Sequence, residues 1–136
     1  MRMLALDVGT RRTGAAWSDM TVGIPLPLDT IHHQSEEELF RSVENIIDEK
    51  KIDHLLIGLP RLPSGDEGSQ AQWSRHIGAL LGQKGLPVTF IDERYSSPKS
   101  SSHKHAIPVG KIDGDAAAAC ALISAFTDKN DAEKHI

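Results

Sequence analysis

Asp7 ends a short apolar run, Met3-Leu4-Ala5-Leu6, and opens onto Val8-Gly9-Thr10-Arg11-Arg12-Thr13-Gly14. An ionised carboxylate closing a buried strand needs a cation, a set of donors or a raised pKa, and the two arginines of the turn can supply the cation. The arrangement recurs at Asp92-Glu93-Arg94, where the β-branched and aromatic run 87–91 stops. A third acid, Asp113, stands before an alanine-rich stretch. Three carboxylates brought together would form an all-oxygen site suited to Mg²⁺ or Mn²⁺, which take carboxylates and waters and bridge to phosphate. The chemistry of such a site is metal-assisted hydrolysis of a phosphodiester, with the ion activating water and stabilising the leaving oxygen.

Each acid also has a plainer use. Asp7 can cap its turn and pair with Arg11 or Arg12, and Asp113 can be an ordinary helix N-cap. Successive strand residues face opposite sides, so only one of Asp92 and Glu93 can face Asp7, which leaves the other to pair with Arg94. Asp115 lies two residues beyond Asp113, about 200° around a helix, and reads as a solvated first-turn acid. Arg11, Arg12, Arg94 and Lys111, with Lys99 and Lys104, make a basic patch able to hold phosphates, although each alone reads as a surface charge. His103 and His105 lack the further ligands a metal site would need.

The elements that must position these groups can be read from periodicity. Residues 3–7 and 13–19 read as strands joined by the turn at 9–12, and 24–31 as a weaker third strand broken by Pro25 and Pro27. Ser35 and Glu38 match a capping box, and Leu39, Val43, Ile46 and Ile47 recur on one helical face through about residue 50. Residues 54–59 form a short apolar strand stopped by Pro60. A helix over 69–83 follows, its stripe of Trp73, Ile77, Leu80 and Leu81 facing the core. After the strand 87–91, the polar segment 96–109 reads as a loop, and a small-residue helix begins near Asp113, with Ala116, Ala117, Cys120, Ala121 and Phe126 on it. Antiparallel strands followed by alternating helix and strand predict an α/β domain with a mixed five-stranded sheet and helices on both faces. The domain is expected over 1–128, with 129–136 as a frayed tail. Ligands in such sheets gather at the C-terminal ends of the parallel strands, where Asp7 and Glu93 fall.

With 136 residues the chain can build one core but not two large lobes around a cleft. It is 39% hydrophobic and 25% charged, and no apolar run reaches the ~18 residues of a membrane span. Asp7 and the arginines interrupt the first apolar run in a way no signal peptide does, and the lone Cys120 cannot form an internal disulfide. A cytoplasmic protein without membrane contact is expected. Its net charge of −4 at pH 7 excludes coating nucleic acid by bulk electrostatics, so any such site is a local patch.

Four motifs carry a family resemblance: Leu6-Asp7-Val8-Gly9-Thr10-Arg11-Arg12-Thr13-Gly14; Ile57-Gly58-Leu59-Pro60 with Gly65 and Gly68-Ser69-Gln70-Ala71; Asp92-Glu93-Arg94-Tyr95-Ser96-Ser97; and Gly110-Lys111-Ile112-Asp113-Gly114-Asp115-Ala116-Ala117. In that order they resemble the YqgF/RuvX family of Holliday-junction-resolvase-like nucleases, linked in bacteria to the precursor of 16S ribosomal RNA. The resemblance implies a ribonuclease H-like fold and a catalytic and metal-binding triad of Asp7, Glu93 and Asp113, with Asp92 beside it. It also implies Mg²⁺ or Mn²⁺ as cofactor, and as partner either precursor ribosomal RNA or branched DNA, bound by a monomer or a homodimer. Two segments depart from the family pattern: 97–110 is short and serine-rich, and Arg61-Leu62-Pro63 replaces an asparagine-containing turn. Two other classes stay open. The Asp7 to Gly14 hairpin also resembles the phosphate loop of actin-like ATPases, which need two lobes, and a non-catalytic nucleic-acid-binding module could keep the fold without the metal.

Overall fold

The computed structural model describes residues 1–93 and 114–134. Among these residues six strands and three helices follow one another as β1 (Arg2–Val8), β2 (Arg12–Asp19), β3 (Leu26–Pro27), β4 (Ile31–His32), α1 (Glu36–Lys50), β5 (His54–Leu59), α2 (Ser69–Gly82), β6 (Val88–Asp92) and α3 (Gly114–Lys134). The sheet order is β3-β2-β1-β5-β6, with β4 also on β2. β1 runs antiparallel to β2, while β1, β5 and β6 are parallel, so Asp7 and the end of β6 lie at the same edge.

The expected third strand is two short ones, which makes six strands rather than five. Proline has no N–H to donate, and Pro25 and Pro27 limit pairing to two residues against Ala16 and Trp17; a second contact then forms at Arg12 and Thr13. α3 continues to Lys134, past the expected domain boundary at 128.

Alternation sorts each strand between two cores. Leu4, Leu6 and Val8 of β1, Leu55 and Ile57 of β5, and Val88 and Phe90 of β6 pack on one face with Leu39 and Val43 of α1 and Ile77 and Leu81 of α2. Met3, Ala5, Leu56 and Ile91 pack on the other face against Ala119, Cys120, Leu122 and Ile123 of α3. Half of the expected capping box forms at α1, where Ser35 Oγ accepts from Glu38 N at 3.2 Å; the Glu38 carboxylate reaches one residue further back, its Oε2 accepting from Gln34 N at 2.9 Å. On α2 the buried stripe is Ala71, Ser74, Ile77, Gly78 and Leu81, while Trp73 and Leu80 are only partly covered. Cys120 is buried, and burial pushes its thiol up to about 11. Among the described residues no helix is long and apolar enough to cross a membrane.

Candidate active site

The alternation that sorts the cores also decides where the acids point. Asp7 continues the series Met3, Ala5 and Glu93 continues Ile91, so both carboxylates emerge on the α3 face at the ends of β1 and β6, the two strands that flank β5. They share a side-chain hydrogen bond. Burial, that hydrogen bond and the negative charges of Asp7 and Asp92 push Glu93 up to about 8. Two carboxylates sharing a proton are the expected state of an oxygen-donor pair without a counter-cation.

Two glycines make the space. Register places Gly14 opposite Asp7, and a Cβ on Gly14 would lie 1.9 Å from the Asp115 carbonyl oxygen. The first turn of α3 therefore rests directly on the β2 backbone. At Gly58 a Cβ would lie 2.7 Å from Glu93 Oε1 and 3.0 Å from both Glu93 Cγ and Leu122 Cδ2. Only side chains stand in the way there, so Gly58→Ala is expected to swing Glu93 out of line. Cleavage should fall at least about tenfold while stability drops by about 2 kcal/mol or less. Cleavage rates and melting curves check both halves; an alanine variant with full activity would show that Glu93 does not need this pocket.

A cavity of about 490 Å³ opens beside Asp7, floored by residues 7–12 and walled by Gln70 and Asp115. Its floor is a turn tight enough that a Cβ on Gly9 would lie 2.2 Å from the Arg12 carbonyl oxygen. Tertiary bonds hold the turn from both sides. The Trp73 indole N–H donates to the Gly9 carbonyl at 3.0 Å, and the His33 backbone N–H donates to the Arg11 carbonyl at 2.9 Å. The buried His33 ring also places Nε2 2.9 Å from Thr13 Oγ1.

Burial lowers the pKa of His33, more than Glu38 raises it. A histidine with a depressed folded pKa contributes stability that is complete above the unfolded value of 6.5 and is lost as pH falls below it. His54, half-buried and with Nε2 2.6 Å from Thr89 Oγ1, shifts the same way. Thermal melts from pH 8 to 5 should therefore show His33→Gln losing less stability on acidification than the wild type. Identical slopes would exclude His33 as an acid-sensitive anchor of the turn.

The site residues expected from the sequence divide as follows. Asp7 and Glu93 meet, and Arg11 and Arg12 line the cavity. Arg94, Lys111 and Asp113, like the segment 96–109, lie outside the described residues. Asp115 is not a plain solvated acid: its side chain is one quarter exposed and Oδ2 lies 3.3 Å from Arg12 Nε, because Gly14 lets α3 land on the hairpin. Asp92 faces the α1 and α2 side, where Arg61 Nε lies 3.1 Å from its Oδ2. From the start of α2, Gln70 adds a further lining residue.

Gln70 falls within the second of the four motifs, but nothing in the sequence marks Trp73 or Arg61 as part of the site. Trp73 in particular has the spacing of a core residue, and only its indole N–H gives it a second task. Among the described residues no cluster of three candidate metal ligands occurs. The donors that do meet are two carboxylates, a set that fits a hard divalent cation and no soft one.

A model of the RuvX family, described as "Holliday junction resolvase", matches residues 1–129. A protein of Chromobacterium violaceum named "Putative pre-16S rRNA nuclease" is 41% identical over 95 residues, 69% of this chain and 69% of that one. A protein of the same name from Paraburkholderia phymatum is 35% identical over 129 residues, 93% of this chain and 84% of that one. In fold, the chain is similar to T. thermophilus RuvC in complex with a Holliday junction substrate, with a TM-score of 0.68, 11% identity and 96% of both chains covered. A second Thermus thermophilus RuvC structure gives 0.65 and 12%, covering 96% of this chain and 97% of that one.

Proposed function

This chain belongs to the RuvX family, and on that premise we propose that it is a divalent-metal-dependent nuclease acting on precursor 16S ribosomal RNA in the cytoplasm, its activity carried by the one domain over 1–128. The observation that carries the reading is the meeting of Asp7 and Glu93 across the end of β5, beside an arginine-lined cavity. The names of the relatives support the RNA substrate. Asp7 and Glu93 would hold Mg²⁺ or Mn²⁺, with Asp113 as the third carboxylate. When bound, the ion supplies an activated water and screens the leaving oxygen.

The chain's own residues do the rest. Arg11 and Arg12 place the phosphate backbone over the carboxylates, with Arg94 and Lys111 extending the patch. Asp115 orients the Arg12 guanidinium by pairing with its Nε. Trp73 and His33 keep the 9–12 turn in one shape, so the arginines meet the phosphate at a constant distance from Asp7.

The family description favours a second reading, a resolvase that cuts branched DNA, for which two symmetric cuts would call for a homodimer. One experiment separates the two. A structured ribosomal RNA precursor fragment and a four-way DNA junction are each incubated with Mn²⁺, Mg²⁺ or chelator, and sedimentation reports the oligomeric state. Metal-dependent cutting of the RNA by a monomer supports the proposal. Cutting of the junction alone, by a dimer, replaces it with the second reading. Binding without cutting on either substrate leaves a nucleic-acid-binding module.

A further inference from the structure

Arg61 follows Pro60 at the end of β5 and reaches across to the end of β6. Its Nε lies 3.1 Å from Asp92 Oδ2 and its Nη1 3.2 Å from Glu67 Oε2. Glu67 is gripped in turn by Arg75, whose Nε and Nη2 each lie 2.7 Å from one of its oxygens. The chain of pairs thus ends on a helix residue, and Arg75 also stacks over Phe90 of β6 at 5.2 Å. The Asp92 side chain is only 10% exposed and that of Arg61 24%. Water therefore screens the pair poorly.

Asp92 and Glu93 are neighbours whose side chains leave opposite faces of the sheet. The charge of Asp92 still reaches Glu93 and adds to its cost of ionisation. Without a local cation, the strand ends would carry Asp7, Asp92 and Glu93 together, and a poorly solvated carboxylate one residue from the cleft would be drawn toward any ion held there. A nearby uncompensated charge changes the affinity of a site for a divalent ion without touching it.

We propose that Arg61 is a positioning residue of the nuclease site: it pins Asp92 on the α2 face and neutralises it, so that the charge of Asp92 takes no part in the grip of the site carboxylates on the divalent ion. The inference rests on the nuclease reading above. A residue that merely propped up the loop would, on removal, leave metal binding unchanged or weaken it. Arg61 as a charge balance predicts the reverse, because removing it strengthens the local field.

The test is Mn²⁺ binding by the full chain without nucleic acid, read by electron paramagnetic resonance of the free ion. Even in a water-like dielectric, a unit charge about 8 Å from a divalent ion changes its affinity about fivefold, which is the lower bound for a poorly screened charge. Arg61→Gln should bind Mn²⁺ about fivefold more tightly than the wild type, and Arg61→Lys within about twofold of it. The double variant Arg61→Gln with Asp92→Asn should return to the wild-type value, since the unbalanced charge is gone.

Asp92→Asn alone keeps the inference testable if Arg61→Gln does not fold: it leaves Arg61 in surplus and should weaken binding about fivefold. A loss beyond about a hundredfold would make Asp92 a ligand and overturn the inference. So would a folded Arg61→Gln with unchanged or weaker affinity. Asp7→Asn is the control for the underlying reading. If it binds Mn²⁺ as the wild type does, the metal site itself is refuted and the inference falls with it. If it loses binding while Arg61→Gln stays at the wild-type value, the inference alone fails.

Discussion

Asp7→Asn should abolish divalent-dependent cleavage and at the same time leave the metal-free protein more stable than the wild type. The first half follows from the position of Asp7 on the central strand, at the point where the Glu93 carboxylate, the arginine turn and the first turn of α3 converge. A loss of about three orders of magnitude, or ~4 kcal/mol of transition-state stabilisation, is expected with Mg²⁺ or Mn²⁺ present. The second half follows from the proton that Glu93 shares with it. Glu93 is raised from 4.5 to about 8, chiefly by burial and then by Asp7. The folded protein therefore holds a proton that the unfolded chain releases above 4.5. Stability from this group is complete at low pH and is lost as pH rises toward 8.

Removing the Asp7 charge relieves part of that loss. Melts without metal should show the asparagine variant stabilised by about 1 kcal/mol near pH 8, with the gap closing toward pH 5. Burial continues to act on Glu93, so the pH dependence should shrink rather than vanish. A variant that is both inactive and less stable at pH 8 would mean that Asp7 serves the fold before it serves the chemistry. A variant that still cuts would remove the catalytic assignment.

Gly14→Ala carries the largest expected effect on folding. The methyl group would stand 1.9 Å from the Asp115 carbonyl oxygen and 2.5 Å from its carbonyl carbon, and both are backbone atoms that no side-chain rotation can clear. Either β2 bends or the first turn of α3 lifts. The turn cannot lift alone, because Ala116 and Ala119 follow it into the core. A cost of about 3 kcal/mol or more is expected, lowering the melting temperature by about 10 °C. Activity should fall further than stability alone explains, since lifting the turn takes Asp115 away from Arg12. Cleavage measured well below the melting point separates the two effects. A substitution tolerated within about 0.5 kcal/mol would show that α3 can be displaced from the hairpin without consequence.

Much of the architecture was legible in the residues. Apolar runs closed by Pro60, the Ser35 and Glu38 cap and the alanine-rich final helix are local signals, and local propensities agree with the elements found. The same holds for Asp7 and Glu93. An acid at the end of a buried strand stands out in one dimension, and side-chain alternation already required that only one of Asp92 and Glu93 face Asp7. The third strand was harder: its prolines foretold weak pairing but not that the segment would split and pair β2 at two separate places.

What tertiary structure alone decided is which distant groups meet. Asp115 has the sequence context of a solvated first-turn acid, and it became a partner of Arg12 only because a missing side chain at Gly14, more than a hundred residues away, allows backbone to touch backbone. Trp73 reads as core by its spacing, yet its N–H fastens the Gly9 turn. Arg61 reads as a loop charge, yet it faces Asp92 across two strand ends. Periodicity and capping depend on residues within about one or two helical turns, so a sequence can declare them. Close approach and ion pairing depend on the register of parallel strands and on the volume left between layers, and those exist only once the chain has packed.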